Sequence, residues 1–167
     1  MSGRSEKRGG DVFVIGKDFG AMVAYTFALF HPEKVAGIIT LGVPFMRPGF
    51  HKTHLALPEG FYIRRWQKSG FQTPLKVPYR SFGETIGSPQ QDPNDLKIKA
   101  PALLIMGEED YVFKFPGMEE YVRSGEVKKY VPNLEIIYLP HGCHFVHEQF
   151  PDQVNQLVLN FLNHNKH

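Results

Sequence analysis

The chain has 167 residues, of which 42% are hydrophobic, with 19 basic and 17 acidic side chains and a formal net charge of +2. That length and apolar content suffice for one domain with a buried core and leave little room for a second. The scattered charges exclude a nucleic-acid phosphate backbone as partner, a lone cysteine, Cys143, excludes an internal disulfide framework, and no stretch reaches the roughly 18 apolar residues of a membrane span.

Residues 1–10 are polar, basic and glycine-rich, without the apolar run of a signal peptide, so a disordered leader on a cytoplasmic protein is expected. Val12-Phe13-Val14-Ile15 is a short β-rich run, and Ala21 to Phe30 is long enough for a buried helix that stops at Pro32. Val35 to Leu41, Pro101 to Met106 and Leu134 to Leu139 are largely apolar, as strands covered on both faces are. Between the last two lies Met118 to Arg123, and after them Val154, Leu157, Val158 and Phe161 recur at helical spacing within Gln153 to Phe161. The alternation predicts an α/β domain over 11–163, a mostly parallel sheet of about four strands with flanking helices and right-handed crossovers, followed by a tail at 164–167. The stretch from Pro44 to Asp95 breaks the alternation. Rich in Pro, Gly, His and aromatic residues, it is expected to cross the top of the sheet as a lid over about 46–95.

Three motifs carry chemistry. Gly16-Lys17-Asp18-Phe19-Gly20 places an acid between two glycines at a strand-to-helix turn, a pattern that presents a nucleophile on a sharp elbow. Aspartate is also a good N-cap, and that plainer role competes for Asp18. Ile105-Met106-Gly107-Glu108-Glu109-Asp110 sets an acid just beyond a strand end, where open α/β sheets gather functional groups. Asp110 is the candidate orienting acid, with Glu108 and Glu109 as alternatives. Leu139-Pro140-His141-Gly142-Cys143-His144-Phe145 offers His144 as a base after the final strand, against a purely structural histidine.

With Thr40 to Phe45, Lys114 to Glu119 and His144 to Gln149, these motifs make Asp11–Pro44 and Leu96–Asn163 resemble plant-type soluble epoxide hydrolases of the α/β-hydrolase superfamily. The resemblance implies nucleophile Asp18, acid Asp110 and base His144, with Tyr62 and Tyr79 of the lid donating hydrogen bonds to the epoxide oxygen, unless the two phenols merely pack the lid. It further implies that the backbone N–H of Phe19 serves the oxyanion, that an epoxide is opened to a vicinal diol through an Asp18 ester, and that the partners are a small apolar epoxide and water, with no cofactor or metal.

The pattern also departs from the family. Relatives carry several strands and a His-Gly-x-Pro turn ahead of the elbow, where this chain has a short leader, and Lys68-Ser69-Gly70 follows Trp66-Gln67 where relatives have a longer lid segment. A partial α/β-hydrolase fold with a shortened cap is therefore expected, with Val12–Ile15 at or near a sheet edge through which the protein self-associates. Lys17 and Phe19 stand where relatives often have histidine and tryptophan. Three rival readings remain: a haloalkane dehalogenase, for which Trp66 is the lone indole donor; a truncated, inactive fragment acting as a binding or assembly module; and a metal site at His141, Cys143, His144 and His147, which lacks the separated ligand pair of a zinc ribbon.

Overall fold

The computed structural model describes residues 12–46 and 96–166. Four strands, β1 (Val12–Lys17), β2 (Val35–Leu41), β3 (Ala102–Gly107) and β4 (Leu134–Leu139), form one sheet in the order β1-β2-β3-β4. All three pairings are parallel. The helices are α1 (Phe19–Phe30), α2 (Met118–Arg123), α3 (Val146–Gln149) and α4 (Pro151–His164). Short 3-10 turns at Pro32–Lys34, Tyr111–Lys114 and Glu126–Lys129 complete the connections.

Alternate residues of each strand feed two cores. Ile38, Ala102, Leu104, Met106 and Leu134 pack with Ala21, Ala24, Tyr25 and Ala28 of α1 and with Met118, Tyr121 and Val122 of α2. Ile39, Leu41, Leu103, Ile105 and Leu139 pack with Val146 of α3 and with Val154 and Phe161 of α4. The sheet is thus covered on both faces, which is why β2 and β3 read as unbroken apolar runs instead of alternating ones. α4 shows the helical stripe expected of it, and its Phe161 meets Phe13 of β1 edge-on at 6.2 Å. The sequence reading of α1 as a buried helix needs correction: one face is buried, but Val23 and Phe30 on the other are 69% and 59% exposed. The short α3 and the 3-10 turns have no sequence-derived counterpart. Among the described residues no helix is long and apolar enough to cross a membrane.

Register determines where the loops emerge. Lys17 pairs with Leu41, Leu41 with Ile105, Ile105 with Ile137 and Gly107 with Leu139, so the chain leaves all four strands along one sheet edge. Asp18, Gly42, the Glu108–Asp110 turn and the Pro140–His144 turn therefore gather there, the place where parallel sheets accept ligands. The segment leaving β2 is tethered as well: the Tyr121 hydroxyl donates to the Phe45 carbonyl at 3.0 Å, and the Tyr25 ring stands edge-on to Phe45 at 5.5 Å. Tyr25 shares a 2.8 Å hydrogen bond with Thr40, and burial pushes its phenol well above the usual tyrosine range.

Candidate active site

Asp18 occupies the position preceding α1, with φ 52° and ψ −122°. A non-glycine residue with φ in this region carries strain of about 1–3 kcal/mol, and such strain gathers where a side chain must be presented in a set direction. Its carboxylate makes no capping hydrogen bond, so the N-cap role that competed for this residue is not taken up. The backbone instead holds the elbow: the Asp18 N–H donates to the Leu41 carbonyl at 3.4 Å, and the Ala21 N–H to the Asp18 carbonyl at 3.0 Å. Of the two flanking glycines, Gly16 is demanded by contact, since a methyl group there would sit 2.5 Å from the Gly20 carbonyl carbon and 2.7 Å from the Ala21 nitrogen. Gly20 is not, because a methyl group at that position meets nothing within 4 Å. Close approach at the elbow therefore demands glycine at position 16 and not at position 20.

The acid and histidine turns are fastened to one another. Glu108 N–H donates to Leu139 O at 3.0 Å, and Glu109 N–H to Gly142 O at 2.9 Å. Gly107 lies so close to Gly142 and Cys143 that any side chain there would meet their backbones. Within this frame Asp110 is buried and its Oδ1 accepts the Val112 N–H at 2.9 Å. The Nδ1 of His144 lies 3.1 Å from Asp110 Oδ1 and 3.0 Å from Oδ2, with both side chains at most 1% exposed. A carboxylate accepts and cannot donate, so Nδ1 carries the hydrogen of this bond, and in the neutral imidazole Nε2 then holds the lone pair. That Nε2 is buried with no hydrogen-bond partner among the described residues. Leaving such an atom unpaired costs about 1–3 kcal/mol. Of the three acids in the turn, Asp110 is thus the one set against His144. Glu108 and Glu109 are exposed, and Glu109 pairs with the exposed His141 at 3.3 Å.

Asp18 and His144 open into one cleft of about 470 Å³, measured with its solvent-open mouth. Its walls are apolar: Phe19, Met22, Val43, Met46, Tyr111, Val112, Phe115 and Met118. The arrangement offers a carboxylate and an imidazole facing an apolar chamber. Tyr111 lies against His144 with ring centroids 4.5 Å apart and planes tilted by 41°, and Phe145 meets the imidazole edge-on at 5.4 Å. The Lys17 ammonium sits 4.1 Å over the Phe145 ring, linking the residue before Asp18 to the residue after His144. Tyr62 and Tyr79 lie outside the described residues, as does Trp66.

Sequence reasoning missed the cleft's methionines, Met22, Met46 and Met118, as well as Tyr111 and Gly42. Met118 and Gly42 lay inside motifs singled out above, but nothing in their spacing distinguished wall from core. Glycine directly after an apolar strand was the available signal for Gly42.

No family model matches the chain. It is similar to epoxide hydrolase 3 of Siraitia grosvenorii, 24% identical over 220 residues covering 91% of this chain and 70% of that protein. Epoxide hydrolase 1 of the same plant is 27% identical over 220 residues, covering 90% and 69%. Both alignments are longer than the chain itself, so the relatives carry segments it lacks. Among solved structures, epoxide hydrolase I of potato (Solanum tuberosum) superposes with a TM-score of 0.71 at 23% identity, covering 91% of this chain and 69% of that one. An epoxide hydrolase from Vigna radiata gives 0.72 at 20% identity, covering 92% and 70%. These superpositions identify the fold as that of the α/β-hydrolases.

Proposed function

We propose that this α/β-hydrolase chain, related to plant epoxide hydrolases, opens a lipophilic epoxide to a vicinal diol through a covalent ester on Asp18. The observation that carries the reading is the buried His144–Asp110 pair, whose Nε2, unpaired among the described residues, opens into the same apolar cleft as the strained Asp18. A carboxylate attacks an epoxide carbon without needing a base to activate it, so the first step asks only that Asp18 be held in place. An Asp18 oxygen forms a bond to carbon, the ring C–O bond breaks, and the departing oxygen takes a proton from a phenol, the role given to Tyr62 and Tyr79. A tyrosine is a neutral donor at physiological pH and a competent acid toward a strongly basic alkoxide.

The second step uses His144. Nε2 accepts a proton from water as the water oxygen attacks the ester carbonyl of Asp18, while Asp110 steadies the resulting imidazolium through Nδ1–H. The Phe19 backbone N–H, at the first position of α1, donates to the tetrahedral oxyanion, aided by the positive end of that helix. Collapse expels the diol oxygen, which takes the proton from His144, and leaves Asp18 as a carboxylic acid whose proton passes through solvent to the phenolate of the first step, restoring both groups. The apolar walls favour an uncharged substrate with hydrocarbon or aryl substituents and exclude a charged one, which would be desolvated without a partner.

β1 is bonded on one side only among the described residues, and its Val12 and Ile15 are 44% and 52% exposed. This supports self-association along that edge as part of the same reading.

The test is mass spectrometry of a His144→Gln variant after incubation with an aryl epoxide. The peptide containing Asp18 should gain the mass of the substrate, and Asp18→Asn should gain none. Folded parent protein that yields neither adduct nor diol would overturn the enzymatic reading and leave a binding or assembly role for the fold.

A further inference from the structure

We infer that Gly42 is a positioning residue for the His144–Asp110 pair, its bare Cα forming the wall against which the imidazole is held. The inference rests on the catalytic role proposed for His144, although the contact itself does not. β2 ends at Leu41, and the next residue turns with φ 72°, a conformation that favours glycine. Its N–H donates to the Ile105 carbonyl at 2.9 Å, which pins the turn to β3. One residue earlier, the Leu41 carbonyl accepts the Asp18 N–H at 3.4 Å. A single turn after β2 is therefore bonded to the nucleophile elbow and to the strand that leads into Asp110.

The Cα of Gly42 points at the imidazole. A methyl group added there would stand 2.8 Å from both Cε1 and Nδ1 of His144 and 3.2 Å from Oδ2 of Asp110. Carbon and nitrogen atoms do not rest at 2.8 Å without a hydrogen bond, so the ring would have to shift, and Nδ1 is the atom that holds it to Asp110. Tyr111 at 4.5 Å and Phe145 at 5.4 Å between ring centroids limit where it can go. A side chain at position 42 therefore misaims Nε2 while leaving Asp18, and its bond to Leu41, where they are. The consequence is selective. Alkylation of Asp18 does not use His144, whereas hydrolysis of the ester does.

The test compares Gly42→Ala with Gly125→Ala. Gly125 also has positive φ, 78°, but a methyl group there meets nothing within 4 Å, so it carries the same backbone penalty without the contact. With an aryl epoxide, Gly42→Ala should form the Asp18 adduct within about tenfold of the parent rate and hydrolyse it more slowly by on the order of 10², so that the adduct accumulates. Gly125→Ala should change neither rate. Should Gly42→Ala prove too unstable to assay, the thermal midpoints of Gly42→Ala, His144→Ala and the double variant decide the matter. Removing the imidazole removes the contact, so the double variant should lie above the additive expectation, by an amount that Gly125→Ala combined with His144→Ala does not share. Parent-like ester hydrolysis in Gly42→Ala, or strictly additive midpoints, would overturn the inference. A parent protein that forms no adduct defeats the hydrolase reading instead, and the midpoint cycle then still reports on the contact.

Discussion

Replacing Gly16 by alanine puts a methyl group into the backbone of the turn that follows it, 2.5 Å from the Gly20 carbonyl carbon and 2.7 Å from the Ala21 nitrogen. These distances are roughly 1 Å inside the ~3.5 Å at which nonbonded heavy atoms rest. The atoms it meets belong to the first turn of α1, which is fixed to the sheet through Ala21, Ala24, Tyr25 and Ala28 and cannot swing away as a side chain would. Overpacking of a core costs about 1–3 kcal/mol, and an unyielding backbone places this site at the upper end. With a midpoint shift of roughly 2–4 °C per kcal/mol for a domain of this size, Gly16→Ala should unfold about 6–12 °C below the parent. Gly20→Ala is the matched control. Its methyl group meets nothing within 4 Å and lies in α1, where alanine is favoured over glycine by up to ~1 kcal/mol, so its midpoint should stay or rise by a few degrees. Thermal unfolding followed by circular dichroism reads both. A parent-like midpoint for Gly16→Ala, or an equal fall for Gly20→Ala, refutes the elbow packing described above.

Asp110→Ala strips partners from both the Val112 N–H and the His144 Nδ1–H, and should lower unfolding free energy in urea by about 2–5 kcal/mol while slowing ester hydrolysis by on the order of 10³ to 10⁴. The Tyr25 phenol is pushed up by burial, so the folded state favours its neutral form. That contribution is complete below the ordinary tyrosine value near ~10 and is lost as pH rises above it, at up to ~1.4 kcal/mol per pH unit. Tyr25→Phe should therefore start about 1 kcal/mol less stable at neutral pH, for want of the Thr40 hydrogen bond, yet lose less between pH ~10 and ~11.5; parallel curves in urea titrations would contradict this. Ile15→Lys places a charge on the outer strand and should shift sedimentation profiles toward monomer, whereas an unchanged profile removes β1 as the contact.

How far the amino-acid sequence speaks depends on whether the governing contact is local. β2 and β3 are legible to within a residue, because a strand buried on both faces must be apolar throughout. The elbow is legible because strand, glycine, acid and helix follow one another without a break. What capping would have meant for Asp18 is not, since aspartate suits a helix start in either role and backbone angles and the missing capping bond distinguish them. α1 misleads for a different reason: a run as apolar as Ala21 to Phe30 carries no polar stripe to show that Val23 and Phe30 face outward. The choice of Asp110 over Glu108 and Glu109 turns on burial, and the requirement for Gly42 arises where segments more than sixty positions apart meet. Neither leaves a local pattern.

The central claim, that Asp18 bonds to the substrate before water does, is tested most directly by a single turnover in ¹⁸O-labelled water with enzyme in excess over an aryl epoxide. An ester mechanism delivers an Asp18 oxygen to the first diol formed, so that diol should be unlabelled and the peptide containing Asp18 should gain ¹⁸O. A labelled diol from the first turnover, with Asp18 unlabelled, would mean that water attacks the epoxide directly and that Asp18 is not the nucleophile.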